Sequence, residues 1–344
     1  MPDKPVRMAV IGLGMASAPH AMSLVELQAE GRVEVAGCWS RSKARREAFA
    51  HRHRLPVTDD LDALLADPAL DAALLLTPPD ARLELVERLA ASGRHILMEK
   101  PLERTSQAAA RIAASCEQAG ITAAVTFQHR FRESAERLRG LLAEGALGEL
   151  AAVQLLVPWW RPQAYYDEPG RGTLARDGGG VLISQAIHSI DLMLSLAGQV
   201  VEVAAVAGTT SLHRMDSEDF VGAGLRFANG ALGSLSATTA CFPGGPERLV
   251  LSGTRGTAML EGGSLTVDFM DGKRLEVGQM MAGGGGADPM AFPHDWHKAV
   301  LRDFLDAVQG RGVPRVDPRE ALHAHRLIDA LLRSSREGRC VQVG

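Results

Sequence analysis

The feature that most constrains the fold of this chain is a glycine turn between a strand-like run and a helix-like run. Val6–Ile11 is apolar, Gly12 and Gly14 follow it, and residues 15–30 have helical character. The first glycine permits a tight turn, and the second lets the backbone approach a phosphate that faces the helix N-terminus. The arrangement predicts a strand–turn–helix unit that binds a dinucleotide, with Met15 at the start of the helix.

Strand-like and helix-like segments alternate through the first third of the chain. Further strands are predicted at 33–39, 72–76, 96–98 and 121–127, with helices between them. Repeated strand–helix–strand units are typical of a parallel, doubly wound sheet with helices on both faces. Residues 1–127 are therefore predicted to form a Rossmann domain.

The pattern changes after residue 127. From residue 200 to about residue 277 the segments are short, rich in Val, Leu, Thr and Gly, and broken by turns such as Asn229-Gly230. Such segments favour an antiparallel sheet. Residues 128–344 are therefore predicted to form an α+β domain on a large, mostly antiparallel, open-faced sheet, which makes the whole chain α/β. The glycines at 283–286 predict a loop.

Composition excludes several classes of function. The 344 residues suffice for two domains, and a net charge of −4 does not favour nucleic acid or an anionic membrane as a partner. No apolar run approaches the length of a membrane span, and the N-terminus does not resemble a signal peptide. The cysteines lack metal-like spacing, so we expect small buried residues in a reducing cytoplasm and no metal. They are Cys38, Cys116, Cys241 and Cys340.

The end of the second predicted strand bears on the choice of cofactor. NAD sites usually carry an acid there for the ribose hydroxyl, but this strand ends in Trp39-Ser40-Arg41, and Glu34 lies at its start. Arg41 can pair with a 2′-phosphate, which predicts NADP, with NAD as the alternative. A solvated basic helix start is the other interpretation. The predicted cofactor-binding residues are Gly12, Gly14, Met15, Ser40, Arg41, Thr77, Pro78, Glu99 and Lys100.

Two residues are candidates for proton handling. Lys100, in Glu99-Lys100-Pro101, follows a predicted strand, and folds of this kind bind ligands at the carboxyl ends of their strands. His188 lies in a glycine-led helical stretch, and histidine is the side chain that most often serves as a general base. A surface lysine and a satisfied core histidine are the alternatives.

Four motifs of this chain, which follow one another in the family's order, resemble those of the Gfo/Idh/MocA oxidoreductases. The resemblance extends over nearly the whole chain. It implies NAD or NADP in the first domain and hydride transfer to or from a hydroxyl carbon of a sugar, cyclitol or related ring. It also implies that Lys100 contacts the substrate hydroxyl and the nicotinamide ribose, that His188 handles the proton, and that the peptide bond before Pro101 is often cis. The motifs are Gly12-Leu13-Gly14, Thr77-Pro78-Pro79, Glu99-Lys100-Pro101 and the stretch from Gly178 to Asp191.

The chain departs from the family pattern at three positions. Ser184 stands where many members have an aspartate four residues before the histidine, which leaves a carboxylate–histidine relay in doubt. Arg82 stands where the loop after Thr77-Pro78 often carries a histidine. Ser17 replaces the third glycine of the turn, and it is small enough to allow close packing.

An aromatic segment precedes the glycine-led helix. Both tyrosines and two tryptophans of the chain fall within 159–166, together with Arg161. One hypothesis is a flat substrate ring on aromatic faces with an anionic group held by arginine, and an aromatic plug at an interface is the alternative. The predicted substrate-binding residues are Lys100, Arg161, Tyr166, Gln185 and His188.

Several functions remain in competition at this point. The first is an NADP-dependent dehydrogenase acting on a sugar, a cyclitol or a related cyclic substrate. Residues 161–191 also resemble members associated with dihydroxyphthalate, so an aromatic dihydrodiol dehydrogenase is an alternative. A glycosidase that retains its nicotinamide cofactor and a non-catalytic NADP sensor are two others. The expected partners are a small-molecule substrate and further copies of this chain. A homodimer or homotetramer is expected because an apolar, open sheet face needs a partner to cover it. The expected location is the cytoplasm.

Overall fold

This computed structural model describes residues 4–280 and 293–344, and the glycine run at 283–286 lies outside the described residues. Internal contacts divide the described chain into two units. Unit 1 contains residues 4–103, 107–128 and 293–321, and unit 2 contains residues 104–106, 129–280 and 322–344. The grouping of 293–321 with the parallel sheet was not predicted from the sequence, and a helix in that range packs against the first helix of the chain.

The predicted helices and strands follow one another in the expected order, and the structure adds short elements that were not predicted, among them strands at 57–58 and 341–342 and helices at 61–66 and 163–166. The strands are β1 (Val6–Ile11), β2 (Val33–Trp39), β3 (Val57–Thr58), β4 (Ala72–Leu75), β5 (His95–Glu99), β6 (Ala123–Thr126), β7 (Leu150–Pro158), β8 (Val200–Gly208), β9 (Phe220–Phe227), β10 (Leu232–Thr238), β11 (Arg248–Gly253), β12 (Gly256–Glu261), β13 (Ser264–Phe269), β14 (Arg274–Val277) and β15 (Val341–Gln342). The helices are α1 (Ser17–Ala29), α2 (Lys43–His53), α3 (Leu61–Ala66), α4 (Leu83–Ala91), α5 (Ser106–Gln118), α6 (Glu133–Ala143), α7 (Gln163–Tyr166), α8 (Ile187–Ala197), α9 (Asp295–Val308) and α10 (Pro318–Glu337).

Unit 1 is built on a parallel sheet with the strand order β3-β2-β1-β4-β5-β6. Every residue of β4 is buried, as expected for a strand covered by helices on both faces. The strand order reverses between β1 and β4, which is the position where such sheets bind ligands. The predicted Rossmann-like sheet is confirmed.

The ends of three neighbouring strands in unit 1 lie side by side. Ile11 of β1 is in register with Leu75 of β4, and Leu75 is in register with Met98 of β5. We call the ends of β1, β4 and β5 the carboxyl edge. Because the strands are parallel, the residues that follow them emerge together at this edge.

Unit 2 is built on a sheet with the order β14-β13-β12-β11-β7-β10-β9-β8-β15. Its neighbouring strands are antiparallel except for β7 and β10, which confirms the mostly antiparallel sheet. Along β7, Val153, Leu155 and Val157 are buried, whereas Leu156 on the other face is exposed, as are Leu232 and Val206 on nearby strands. The homo-oligomer that would cover this face stays a prediction.

Two further expectations concern cysteines and membranes. Cys38 and Cys116 are buried, and burial raises the pKa of each thiol to about 12. The expectation of burial was wrong for Cys241 and Cys340, which are exposed because they lie in a loop after β10 and next to the short edge strand β15.

Within residues 4–280 and 293–344, none of the helices combines the length and the apolar character that a bilayer crossing requires.

Candidate active site

The glycine turn is held between two strand ends of unit 1. Gly12 has a φ of 107°, and its N–H donates to the carbonyl of Trp39 at 2.9 Å. A Cβ at Gly12 would lie 2.7 Å from the carbonyl carbon of Leu76 and 2.8 Å from the nitrogen of Thr77. Both the positive φ and this close approach therefore require glycine. A Cβ at Gly14 would meet nothing within 4 Å, so the backbone there faces open space.

The surroundings of this turn fit a dinucleotide. Helix α1 begins after Ala16 without a side-chain cap and has no acid in its first turn, so its first N–H groups suit a pyrophosphate. Ser17 packs into the turn, where its Oγ donates to the carbonyl of Gly14 at 2.7 Å. The buried Oγ1 of Thr77 has no hydrogen-bond partner in the described structure, which leaves it for a ligand. Pro78 is exposed beside it and Met15 is 45% exposed at the mouth of the turn.

The tip of β2 carries arginines and no carboxylate. Ser40 is buried and Arg41 is exposed directly after the strand. Arg46 donates to the carbonyl of Ser40 at 2.6 Å, so it shapes the loop. Glu34 forms an ion pair with Arg7 at the other end of β2, away from the tip. An exposed arginine at this tip can pair with a phosphate group.

Lys100 follows β5 at the carboxyl edge. Its backbone N–H donates to Oε2 of Glu99 at 3.0 Å, and the peptide bond to Pro101 is cis, as the resemblance implied. The other carboxylate oxygen of Glu99 lies 2.7 Å from Nε2 of His20 on α1. The Glu99 carboxylate therefore holds the backbone of Lys100 in place. Its predicted contact with the cofactor stays a prediction.

Two histidines that the sequence analysis did not single out surround Glu99. His20 and His297 of α9 are buried, and their rings meet edge to face with centroids 4.9 Å apart. Burial acts to raise the pKa of Glu99, but the hydrogen bond from His20 and the positive charges nearby, Lys100 among them, lower it below the usual value. Burial, with the charge of His20, lowers the pKa of His297 to about 3.

The same three side chains bring metal-ligating atoms together. One ligand atom each of His20, Glu99 and His297 lies within 4.8 Å of the others. The carboxylate already accepts hydrogen bonds from His20 and from the Lys100 backbone, so the approach of His20 to Glu99 needs no ion. The expectation that no metal is bound stays a prediction.

In unit 2 the glycine-led stretch is required by a close backbone approach. A Cβ at Gly180 would lie 1.7 Å from the carbonyl oxygen of Glu218. The Glu218 carboxylate accepts from the N–H groups of Gly180 and Leu182, each at 3.1 Å, and so caps the helical stretch that follows. Burial raises the pKa of Glu218, although these N–H groups act to lower it.

The capped stretch carries both Gln185 and His188, three residues apart along the chain. A π-helical turn, Leu182–Ala186, precedes α8. His188 is buried and stacks on His129 with ring centroids 5.0 Å apart. Arg132 donates to Nε2 of His129 at 2.6 Å, so this nitrogen carries no proton, because arginine can only donate. His188 is therefore fixed against a second, oriented imidazole.

Helix α8 is tied to the turn Gln128–Phe131 by an ion pair. Arg130 donates to both carboxylate oxygens of Asp191, at 2.7 and 2.6 Å, and both side chains are largely buried. A bidentate pair of this kind fixes orientation as well as position. The pair therefore orients the helix that carries His188.

The aromatic segment in unit 2 divides into a packed half and an open half. The hydroxyl of Tyr166 is 2.6 Å from Oγ1 of Thr239 in the interior, and burial raises the pKa of Tyr166 above its usual range. Its neighbour Tyr165 is half-buried, with its hydroxyl 3.4 Å from Nε2 of Gln185. The hydroxyl of Tyr165 therefore contacts the predicted substrate-binding Gln185, whereas the hydroxyl of Tyr166 is bonded to Thr239.

Two arginines flank Tyr165. The guanidinium of Arg171 lies 4.8 Å and that of Arg161 lies 5.7 Å from the centroid of the Tyr165 ring. Arg161 is buried, also faces Trp159, and donates to the carbonyl of Trp160 at 2.7 Å. Arg161 therefore fixes the aromatic segment. The buried Oε1 of Gln185 has no hydrogen-bond partner in the described structure, so this oxygen can accept a hydrogen bond from a ligand.

Two family descriptions match most of the chain. The "Oxidoreductase family, NAD-binding Rossmann fold" matches residues 6–127, and the "GFO/IDH/MocA C-terminal domain" matches residues 135–259. The chain belongs to the Gfo/Idh/MocA oxidoreductases. The family resemblance inferred from the sequence is confirmed, and the protein is an NAD(P)-binding oxidoreductase.

Several relatives show what members of this family act on or bind. D-xylose 1-dehydrogenase (NADP(+)) 2 of Haloferax volcanii is 28% identical, with 90% of this chain and 92% of the relative covered. The 1,5-anhydro-D-fructose reductase of Ensifer adhaerens is 23% identical, with 90% and 91% covered. The crystal structure of the WlbA dehydrogenase from Bordetella pertussis in complex with NADH and UDP-GlcNAcA gives a TM-score of 0.84 at 26% identity, covering 99% of both chains.

Proposed function

We propose that this oxidoreductase is an NADP-dependent dehydrogenase that acts on a hydroxyl carbon of a sugar, a cyclitol or a related cyclic compound. The observation that carries the proposal is the carboxyl edge of unit 1. There Lys100 follows β5 and the glycine turn follows β1, on strands that are in register through β4. A lysine that follows a strand at the same sheet edge as a turn suited to a pyrophosphate fits the oxidation of an alcohol next to a nicotinamide.

The residues of the chain supply proton transfer and orientation. A bound nicotinamide supplies the acceptor or donor of the hydride. In this proposal Lys100 and His188 are the two proton acceptors in question: the neutral Nζ of Lys100 or the neutral imidazole of His188 takes the hydroxyl proton when the alcohol is oxidised, and gives it back in the reverse reduction. Positioned groups of this kind contribute roughly 10²- to 10⁴-fold to the rate.

The preference for NADP rests on the tip of β2. Arg41 is exposed there, and no carboxylate lies within Trp39-Ser40-Arg41. We expect Arg41→Ala to weaken NADPH binding about tenfold or more, because a charged hydrogen bond contributes about 1.5–3 kcal/mol. NADH binding should change by less than about twofold, since it has no 2′-phosphate. Quenching or enhancement of reduced-cofactor fluorescence measures both affinities, and Arg52→Ala on the exposed face of α2 is the matched control.

The class of substrate rests on the relatives and on the open half of the aromatic segment. The relatives named above act on D-xylose and 1,5-anhydro-D-fructose, and one binds UDP-GlcNAcA. In unit 2, Tyr165, Gln185 and His188 offer an aromatic face, an amide and an imidazole, which together suit a polyhydroxylated ring.

Cofactor reduction against a panel of compounds tests the proposal. The panel contains sugars, sugar acids, inositols and aromatic dihydrodiols, each with NADP⁺ and with NAD⁺, and reduced cofactor is followed by its absorbance. We expect turnover with a sugar or cyclitol that is lost in Lys100→Ala and retained in Lys43→Ala, a change at an exposed lysine. Turnover with dihydrodiols alone would support the aromatic alternative. Cleavage of glycosides without net cofactor reduction would support the retained-cofactor glycosidase.

A further inference from the structure

Arg82 is a buried arginine beneath the carboxyl edge, and the proposed function leaves it without a role. Its side chain is among the largest that are fully buried, with 1% of the residue exposed. Burial lowers the pKa of Arg82 to about 10, and the carboxylates of Glu99, Glu103 and Asp80 act to raise it. The guanidinium therefore stays charged at neutral pH.

The contacts of Arg82 join two loops of the edge. One terminal nitrogen donates to the carbonyl of Thr77, at 2.5 Å, in the loop after β4. The other donates to the carbonyls of Glu99 and Pro101, the two residues on either side of Lys100, and is 3.3 Å from that of Leu102. The backbone on both sides of Lys100 is thus bound to the same planar group.

Thr77 connects this arrangement to the glycine turn. Its backbone nitrogen is one of the atoms that a Cβ at Gly12 would strike, at 2.8 Å. Gly12, Thr77, Arg82 and the Lys100 loop therefore form a continuous series of contacts within unit 1. Misplacement of a reacting group by about 1 Å can cost a hundredfold in rate, so such a series can govern turnover.

We propose that Arg82 is a positioning residue that fixes Lys100 relative to the cofactor-binding turn. Arginine suits this role because its planar fork carries five N–H donors, whereas lysine has three on one atom and a neutral histidine ring has one. The inference rests on the role proposed for Lys100, and it concerns a position where the family pattern often has a histidine.

The test follows the acylation of Lys100, which needs no substrate. The chain has five lysines, so mass spectrometry resolves the labelling rate of each with an amine-reactive ester. In Arg82→Lys, which keeps the charge and the bulk, we expect the half-buried Lys100 to be labelled at least about threefold faster because its loop is released. Lys298, paired with Glu26 and Glu30 in unit 1, reports general loosening, and its rate should not change.

The labelling result decides the proposal. Arg88→Lys, on the exposed face of α4, is the matched control and should leave the labelling of Lys100 unchanged. An equal or slower rate at Lys100 in folded Arg82→Lys, or an equal rise at Lys298, would show that Arg82 supports only the fold. If Arg82→Lys does not fold, Arg82→Gln is read in the same way.

Turnover supplies the second readout once a substrate is found. We expect kcat of Arg82→Lys to fall at least about tenfold, while the KM for the cofactor changes less than about threefold. Unchanged kcat in this variant would also overturn the proposal. If the parent protein turns over no compound of the panel, the proposed function fails, and the labelling comparison still decides whether Arg82 positions Lys100.

Discussion

The buried histidine under the carboxyl edge makes the stability of this protein depend on pH in a calculable way. His297 is 3% exposed, and its ring lies against His20, with Glu99, His294 and Lys100 as the other charged or titratable groups that act on it. Burial holds its pKa at about 3, whereas an unfolded histidine has a pKa of 6.5. The unfolded chain therefore binds a proton at this residue between these two pH values, and the folded chain does not.

The sign and size of the effect follow from that difference. Above pH 6.5 His297 is neutral in the folded and in the unfolded chain, so its titration takes nothing from the free energy of unfolding. Below pH 6.5 its titration lowers the free energy of unfolding by about 1.4 kcal/mol per pH unit, until the pH approaches 3. Between pH 7 and pH 5 the loss due to His297 is about 2 kcal/mol. Replacing His297 by Phe removes this term, so the variant should lose about 2 kcal/mol less than the parent over the same interval.

Urea unfolding at the two pH values measures the difference, with the fluorescence of the four tryptophans, one of which is Trp296 next to His297, as the signal. The comparison of parent with variant cancels the other titrating groups as far as they act independently. His51→Phe, a change at an exposed histidine of α2, should keep the full pH dependence of the parent. An identical loss of stability in parent and His297→Phe would refute the reasoning, because it would mean that the imidazole titrates alike in the folded and unfolded chain.

Three further predictions concern single residues. Gly12→Ala should abolish cofactor binding, measured by reduced-cofactor fluorescence, because its Cβ would collide with the backbone after β4. Gly180→Ala should destabilise the protein by about 3 kcal/mol in urea unfolding, since its Cβ would overlap the carbonyl of Glu218 and overpacking costs about that much. Tyr166→Phe should cost about 1 kcal/mol of stability through its lost hydrogen bond and leave the substrate KM unchanged, whereas a raised KM would place Tyr166 at the substrate.

Local sequence patterns were enough to predict the parallel sheet and the glycine turn. The turn is a property of adjacent residues, because Gly12 must adopt a positive φ directly after a buried strand. The absence of an acid at the tip of β2 could also be read directly, since Glu34 sits at the opposite end of that strand. The mostly antiparallel second sheet followed from short segments and turn residues.

The support of Lys100 could not be predicted in the same way. His20 and His297 come from α1 and α9, and only the packed fold brings them to Glu99. Arg82 was visible as a departure from the family pattern, but its role depends on carbonyl groups of two loops, which have no signature in the sequence. The sequence signal was the position of Arg82, a charged residue directly before the amphipathic helix α4.

Neighbouring residues were also hard to tell apart from sequence. Tyr165 and Tyr166 are adjacent in the single helical turn α7, so a small rotation of that turn decides which one faces the interior. The structure turns Tyr166 towards Thr239 and leaves Tyr165 beside Gln185. Glu218 was missed because its capping partners lie in the glycine-led stretch before α8, distant along the chain.

Transfer of deuterium from the cofactor tests the central claim most directly. The protein is incubated with NADPH that carries deuterium at the transferred position and with the ketone or lactone forms of the panel compounds. Mass spectrometry then measures the deuterium content of the products. The account predicts one deuterium on the reduced carbon of a sugar or cyclitol product, and no labelled product with Lys100→Ala. Conversion of a compound by the parent protein without deuterium in the product would contradict it, because the reaction would then proceed without net hydride transfer from the cofactor.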